Sequence, residues 1–479
     1  MEPKILIVGA GVSGIAAATK LLENGFSDII ILEAENRVGG RVCSVEFEGR
    51  IVDIGAQWVH GEKGNIVYEM VNDLDLLSPS KLPQDPAMMF FLLDGTLANK
   101  DITDKLFAIA MGVKDDQVTA SKYKGSFADY FSSEYNKRVQ EQFSQLDELS
   151  LASLVEEWFK KFMVLLNPAE YWDELSTTSH YVFKPCEGDQ MLGWRNKGYK
   201  TIIDVMTKKI PDPSKQLPIE DKTLLNKEVN KIIWNQDQAT IKCSDGSIYE
   251  ADHVIITVSV NVLKDTYKKM FIPALPEYKI NSIQNIPMGT VNKILLKFPN
   301  KWWPDTIKDI SFLWSEDQRE ELVKEFPHGP IVNGRSWLEN LFSFIAIDSH
   351  PNVLLGWING PTAKLVGLLP DEIVIKGAMY MLRKFAGHLY DIPEPDSILR
   401  SRWGSNSHFR GSYVYVNSDM EKRKASAEDL SKPLLSDNGK PVVLFAGEAT
   451  HRCLFSTVNG AMETGYREAD RLITLYNDK

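Results

Sequence analysis

Lys4-Ile5-Leu6-Ile7-Val8 is an apolar run long enough for one buried strand, and Gly9-Ala10-Gly11-Val12-Ser13-Gly14 follows at once. Ile15 to Leu22, rich in alanine, reads as a helix. After a turn at Asn24-Gly25, Ile29-Ile30-Ile31-Leu32 reads as a second buried strand, closed by Glu33. Strand, glycine loop, helix, strand and acid, in that order, are what a dinucleotide site requires. Gly9 allows the tight turn out of the strand. Gly11 lets a pyrophosphate approach the backbone, with Val12 opening the helix beside it. Gly14 allows close packing of helix on sheet. The helix N-terminus offers N–H groups and a positive dipole end to phosphate. Glu33 stands about 20 residues past the last glycine, where a carboxylate can accept ribose hydroxyls.

Working outward, Arg37-Val38-Gly39-Gly40-Arg41 supplies two glycines for close backbone approach and two arginines for phosphate. This segment resembles the flavin amine oxidases, whose signature runs from an acid through R-x-G-G-R. The resemblance implies FAD, with Arg41 reaching its phosphates. In Val52-Asp53-Ile54-Gly55-Ala56-Gln57-Trp58-Val59-His60-Gly61 it implies a stretch beside the flavin ring, placing Gln57 and Trp58 at the cofactor. The W-x-H-G form is that of animal polyamine oxidases, and His60 becomes the candidate contact for a substrate amine.

The chain has 479 residues, more than one domain's worth, with ordinary apolar and charged fractions. Its net charge of −11 disfavours nucleic acid and is compatible with attracting a polycation. Cys43, Cys186, Cys243 and Cys453 show no CxxC spacing, so neither a disulfide framework nor a zinc site is expected. No apolar run approaches membrane-spanning length, and no Asn-x-Ser/Thr site occurs. With a core strand starting near the N-terminus and Asn477-Asp478-Lys479 unlike a peroxisomal tripeptide, a cytoplasmic address is the expectation.

From about Leu76 to Tyr181 the sequence turns helical and charged. Leu151, Leu154, Val155, Trp158, Phe159 and Phe162 recur at helical spacing, a stripe that reads as core. His180 lies near where some polyamine oxidases place an acid. Val229 to Thr257 alternates like a β-meander, with a hairpin at Asp245-Gly246. The resemblance puts the backbone of Val229 against adenine, and gives Lys293, after Gly289-Thr290, a water held at flavin N5. It puts Trp403 by the flavin and makes Tyr413 one wall of an aromatic cage. Ser412 stands where monoamine oxidases carry the flavin-linking cysteine, so non-covalent FAD is implied. Ser259-Val260-Asn261 and Asn406-Ser407 depart from the family's usual residues. Val442 to Gly447 is a buried strand ending at Glu448, expected on the ribityl chain. Thr457 and Val458 open the last helix toward the pyrimidine side of the ring, and a small Thr457 leaves room for a long, thin substrate.

The fold expected is α/β: a Rossmann-like FAD-binding domain with a β-meander (1–75, 195–290 and 395–479), and an α+β substrate domain with a mixed sheet and helical insertion (76–194 and 291–394). The implied activity is that of an FAD-dependent polyamine oxidase. Hydride would pass from spermine, spermidine or their N-acetyl forms to flavin N5, and oxygen would return hydrogen peroxide. Lys293, His60 and Tyr413 are the candidate catalytic residues. Three alternatives stay open. A histone-demethylase-like enzyme shares these motifs, though the chain is short and acidic for that role. An amino-acid oxidase would need an arginine for the substrate carboxylate. A flavin-binding partner protein would turn over little.

Overall fold

A strand apolar on both faces must be covered on both faces. In the computed structural model, which describes residues 2–79, 88–177, 182–234, 236–347 and 349–477, Ile5–Val8 lies inside a six-stranded sheet. His253–Ile256 and Ile29–Leu32 flank it in parallel register, Val8 standing opposite Ile256 and Leu32. Pro441–Phe445 extends the sheet in parallel on one side and Thr223–Leu224 on the other. Leu434–Leu435 closes one edge antiparallel.

Helix Val12–Glu23 packs against the last helix, Val458–Asn477, through fully buried Ala16, Ala17 and Ala18. Small residues set that distance: a Cβ on Gly465 would overlap the Ser13 carbonyl oxygen. Ile29–Leu32 and Thr223–Leu224 stand on one side of Ile5–Val8, and the later strands His253–Ile256 and Pro441–Phe445 on the other, so the strand order reverses there. Such a switch point opens a crevice at the C-terminal strand ends, where α/β folds bind ligands.

The expected meander is present as Val229–Ile233, Ala239–Cys243 and Ile248–Ala251, antiparallel, with Gly246 at φ +86° in the hairpin. Phe271–Ile272 adds a fourth strand.

The second six-stranded sheet runs in the order Ser397–Arg400, Asn292–Lys297, His350–Ile358, Ser343–Ile347, Asp309–Phe312 and Phe90–Phe91. All its pairs are antiparallel except the last, so it is mixed. Its edge strand Ser397–Arg400 follows residue 395, so the sheet extends past the 394 boundary read from sequence. Alternation sorts its residues. Ile294, Leu296 and Leu354 face helix Asp371–Ala386, and Leu295, Leu355 and Trp357 face the other way, toward Trp58 and Tyr413.

Helices Lys100–Asp115, Phe127–Gln142 and Leu146–Leu166 form the insertion. Asn99 and Ser126 cap the first two through their side chains. The aromatic stripe is core: Phe131 stacks on Phe159 at 5.0 Å, and Trp158 meets Phe90 of the second sheet, and Phe342 just before its strand Ser343–Ile347, edge-on. His180 falls outside the described residues.

Candidate active site

The glycine loop is built as its spacing demands. Gly9 sits at φ +106°, where a side chain would also strike the Thr257 hydroxyl. A Cβ on Gly14 would overlap the Gly9 carbonyl oxygen. Gly11 differs: its φ is −71° and a Cβ there would meet nothing within 4 Å. The backbone at Gly11 therefore faces open ground at a helix N-terminus, which fits a phosphate. Gly40 presses on it from behind, 3.2 Å from the Gly11 Cα by its own would-be Cβ.

Glu33 accepts from Ala10 N at 2.6 Å and from Glu35 N at 2.8 Å. Burial pushes its carboxyl above the ordinary range, although both N–H groups favour the charged form. Lys227 N donates to the Glu33 carbonyl, which brings the segment leading to buried Val229 alongside this acid.

Arg41 and Glu448 come from opposite ends of the chain and meet at 2.8 Å. The same Arg41 Nη1 donates to Ser412 O at 2.7 Å. The other Glu448 oxygen accepts from Ser456 N at 3.0 Å. Ser456 is held at φ +66°, an uncommon conformation for serine, and its hydroxyl donates to Val414 O. Thr457 then caps the last helix, its Oγ1 accepting from Gly460 N at 3.1 Å, with partly buried Val458 behind it. A narrow cleft beyond the parallel strand ends is lined by Arg41, Thr257, Ser259, Gly447 and Glu448.

Lys293 enters the second sheet on the Leu295 face. Its Nζ donates to Asp53 O at 2.8 Å, Gly55 O at 2.9 Å and Gln57 Oε1 at 2.6 Å. These acceptors use all three ammonium donors. Desolvation pulls its pKa down to about 8, partly offset by the Asp53 carboxylate. The Trp58 ring centre lies 5.9 Å from Nζ, and Trp58 and Trp357 sit 6.2 Å apart. Trp403 is buried against Phe409 and donates from Nε1 to Ile54 O at 3.1 Å. Lys293 and Trp403 thus converge on residues 53–58, which carry Gln57 and Trp58.

Tyr413 joins this group, its hydroxyl donating to Leu165 O at 2.7 Å, at the end of helix Leu146–Leu166. The Ser412 hydroxyl is tied to Val291 N and O, both at 2.8 Å. A cavity of about 290 Å³ lies on the Val414 side of this strand, lined also by Val182, Tyr415, Met420, His451 and Phe455. His60 stands on an exposed rim, its Nδ1 donating to Gln190 O at 2.6 Å. Surrounding protein depresses its pKa by desolvation. The neutral ring leaves Nε2 as an acceptor.

Residues 12–473 match the flavin containing amine oxidoreductase family. The chain belongs to this family. As a flavin-containing amine oxidoreductase it is an enzyme with FAD as cofactor, and the glycine loop, Arg41 and the acids Glu33 and Glu448 fit that cofactor. The chain is 28% identical to the human peroxisomal N(1)-acetyl-spermine/spermidine oxidase, over 99% of this chain and 95% of that one. It is also 28% identical to the probable polyamine oxidase 5 of Arabidopsis thaliana, over 99% of both chains. A solved putrescine oxidase with bound putrescine shares the fold, with a TM-score of 0.67 at 18% identity over 99% of both chains.

Several contacts at this flavoenzyme's site were not read from sequence. The Asp53 carboxylate accepts from Ser44 Oγ and from Tyr199 N at 3.0 Å. Its signal was an acid inside a glycine-flanked motif. Where the chain departs from family residues, new ties appear. Ser259 Oγ donates to Phe409 O, and Asn261 Nδ2 to Arg410 O at 2.9 Å. Asn406 and His408 both bond Glu35, at 3.3 and 2.6 Å. Among the described residues there is no metal-ligand cluster, and no helix is long and apolar enough to cross a membrane.

Proposed function

We propose that this enzyme oxidises a polyamine at a carbon next to nitrogen. The observation that supports the reading most is the grouping of Lys293, Trp58, Trp357 and Tyr413 on one face of the second sheet, beside residues 53–58. Aromatic walls suit a methylene chain carrying spaced cations. The printed names of the human and plant relatives support the same class.

When bound, FAD supplies a hydride acceptor whose electrons pass to O2, giving hydrogen peroxide. The chain's own residues do the rest. Gly11, Arg41, Glu33, Glu448 and the start of the last helix would hold the cofactor without a covalent bond, since the Ser412 hydroxyl is committed to Val291. Lys293 would hold a water at the reacting face by turning one N–H away from Asp53 O, Gly55 O or Gln57 Oε1, which otherwise share its three donors. Tyr413 would wall the substrate. The free Nε2 of His60 would accept an N–H from the amine. Loss of hydride from the adjacent carbon needs the nitrogen lone pair to form the C=N bond, so the neutral amine is the reactive form. A cytoplasmic location, no nucleic-acid partner and the two-part division of the chain belong to this proposal.

The test is anaerobic. FAD-loaded protein is mixed in turn with spermine, N-acetylspermine, putrescine and a neutral amino acid, and flavin absorbance is followed. Bleaching by a polyamine at least tenfold faster than by the amino acid supports the reading. The reverse order, or no bleaching, refutes it.

A further inference from the structure

Asp53 is used twice. Its peptide carbonyl takes one of the three Lys293 donors, at 2.8 Å. Its carboxylate points to the other side of the segment, accepting from the Ser44 hydroxyl and from Tyr199 N at 3.0 and 3.2 Å. Ser44 is in turn fixed by Lys200 N, which donates to its oxygen at 2.9 Å. Ser44 and Asp53 face each other across the hairpin Ser44–Phe47/Arg50–Asp53. One acid therefore joins three pieces of chain: the hairpin, the Gly198-Tyr199 turn and the lysine of the second sheet.

We propose that Asp53 is a positioning residue for Lys293: its carbonyl seats the ammonium, and its carboxylate, held by Ser44 and Tyr199, keeps that ammonium protonated.

Among the described residues, Asp53 supplies the charge that raises the Lys293 pKa against desolvation. The other titratable groups facing the acid are Tyr199 and Cys43, and burial keeps both protonated. Arg37, Lys200 and Glu35 act on Cys43 from further out. Burial raises Asp53 to about 6 and lowers Lys293 to about 8, so the two are charged together between those values. Below about pH 6 the acid neutralises. Above about pH 8 the lysine does. Between those values the ammonium and the carboxylate face each other as a charged pair; below about pH 6 the ammonium stays charged without that partner.

This inference rests on the proposed reading only for the importance of Lys293, and it is tested without turnover. The FAD-loaded protein is titrated from pH 5 to 10 while the flavin spectrum is recorded. Two transitions are expected, near pH 6 and pH 8, and Lys293→Met removes the upper one. Asp53→Asn moves the upper midpoint down by about one unit or more, the scale on which a close opposite charge acts. An unmoved midpoint with only a lower melting temperature would make Asp53 merely structural and overturn the proposal. If Asp53→Asn is not recovered folded, Ser44→Ala decides. Losing its hydrogen bond to the carboxylate moves the lower transition up while the upper one stays; an unmoved lower transition overturns the proposal. A protein that shows both transitions but bleaches with no amine refutes the function and leaves this inference standing.

Discussion

Arg41 and Glu448, 407 positions apart in the chain, are joined by an ion pair at 2.8 Å. The contact closes the N-terminal cradle onto the C-terminal strand and helix, and Ser412 O shares the same Arg41 nitrogen. Glu448 is 5% exposed, so removing its partner leaves a buried charge. Arg41→Met is expected to destabilise the protein by about 2–4 kcal/mol, the usual cost of orphaning such a group. It should also weaken FAD binding at least tenfold. Denaturant unfolding and flavin fluorescence titration measure the two effects.

Gly11 and Gly14 separate cofactor binding from folding. Gly14→Ala would drive a methyl into the Gly9 carbonyl and should fail to give stable protein. Gly11→Ala meets no atom of the chain and keeps a permitted φ. It should leave apoprotein stability within about 0.5 kcal/mol of the parent, as a surface change does. FAD affinity should nevertheless fall tenfold or more, because the methyl stands where phosphate approaches. Equal FAD affinity would remove Gly11 from the cofactor site.

Lys293 should make stability depend on pH. Its folded pKa of about 8 lies below the ordinary 10.5. Between those values the unfolded chain holds a proton that the folded chain has released, so this residue makes stability rise with pH. The parent should gain about 2 kcal/mol relative to Lys293→Met between pH 8 and pH 10, at 1.36 kcal/mol per unit. Urea unfolding at both pH values measures this. The same substitution should slow flavin reduction or reoxidation at least tenfold, and unchanged rates in both half-reactions would remove its proposed role.

His60 holds Gln190 O through Nδ1 and presents Nε2. His60→Ala should raise KM for a polyamine about threefold to tenfold with a smaller change in kcat, since a hydrogen bond between neutral groups contributes about 0.5–1.5 kcal/mol. A fall in kcat alone would place the histidine elsewhere in the mechanism.

The parts legible in the sequence were those where local chain conformation and function coincide. A strand, a glycine loop and an acid within 33 residues need one another in order, so reading them from Lys4 to Glu33 located the parallel sheet and its crevice. The meander was legible because Asp245-Gly246 fixes a hairpin. The aromatic stripe from Leu151 to Phe162 was read as core and is core. What stayed hidden depends on tertiary approach. Nothing near Asp53 announces that Ser44, Tyr199 and Lys293 would gather around it, because the partners lie up to 240 positions away. The Asn406–His408 clamp on Glu35 was hidden for the same reason, and the family resemblance could not help where the residues depart from it.

Polyamine oxidation by this enzyme is decided by the stoichiometry of turnover. FAD-loaded enzyme in air is given spermine, N-acetylspermine and putrescine in turn, and polyamine consumed, aldehyde formed and hydrogen peroxide released are counted together. Equal amounts of all three are expected, with the flavin released intact by acid afterwards. A fully flavinated protein that leaves every one of these polyamines unchanged, or consumes one without peroxide, would refute that activity.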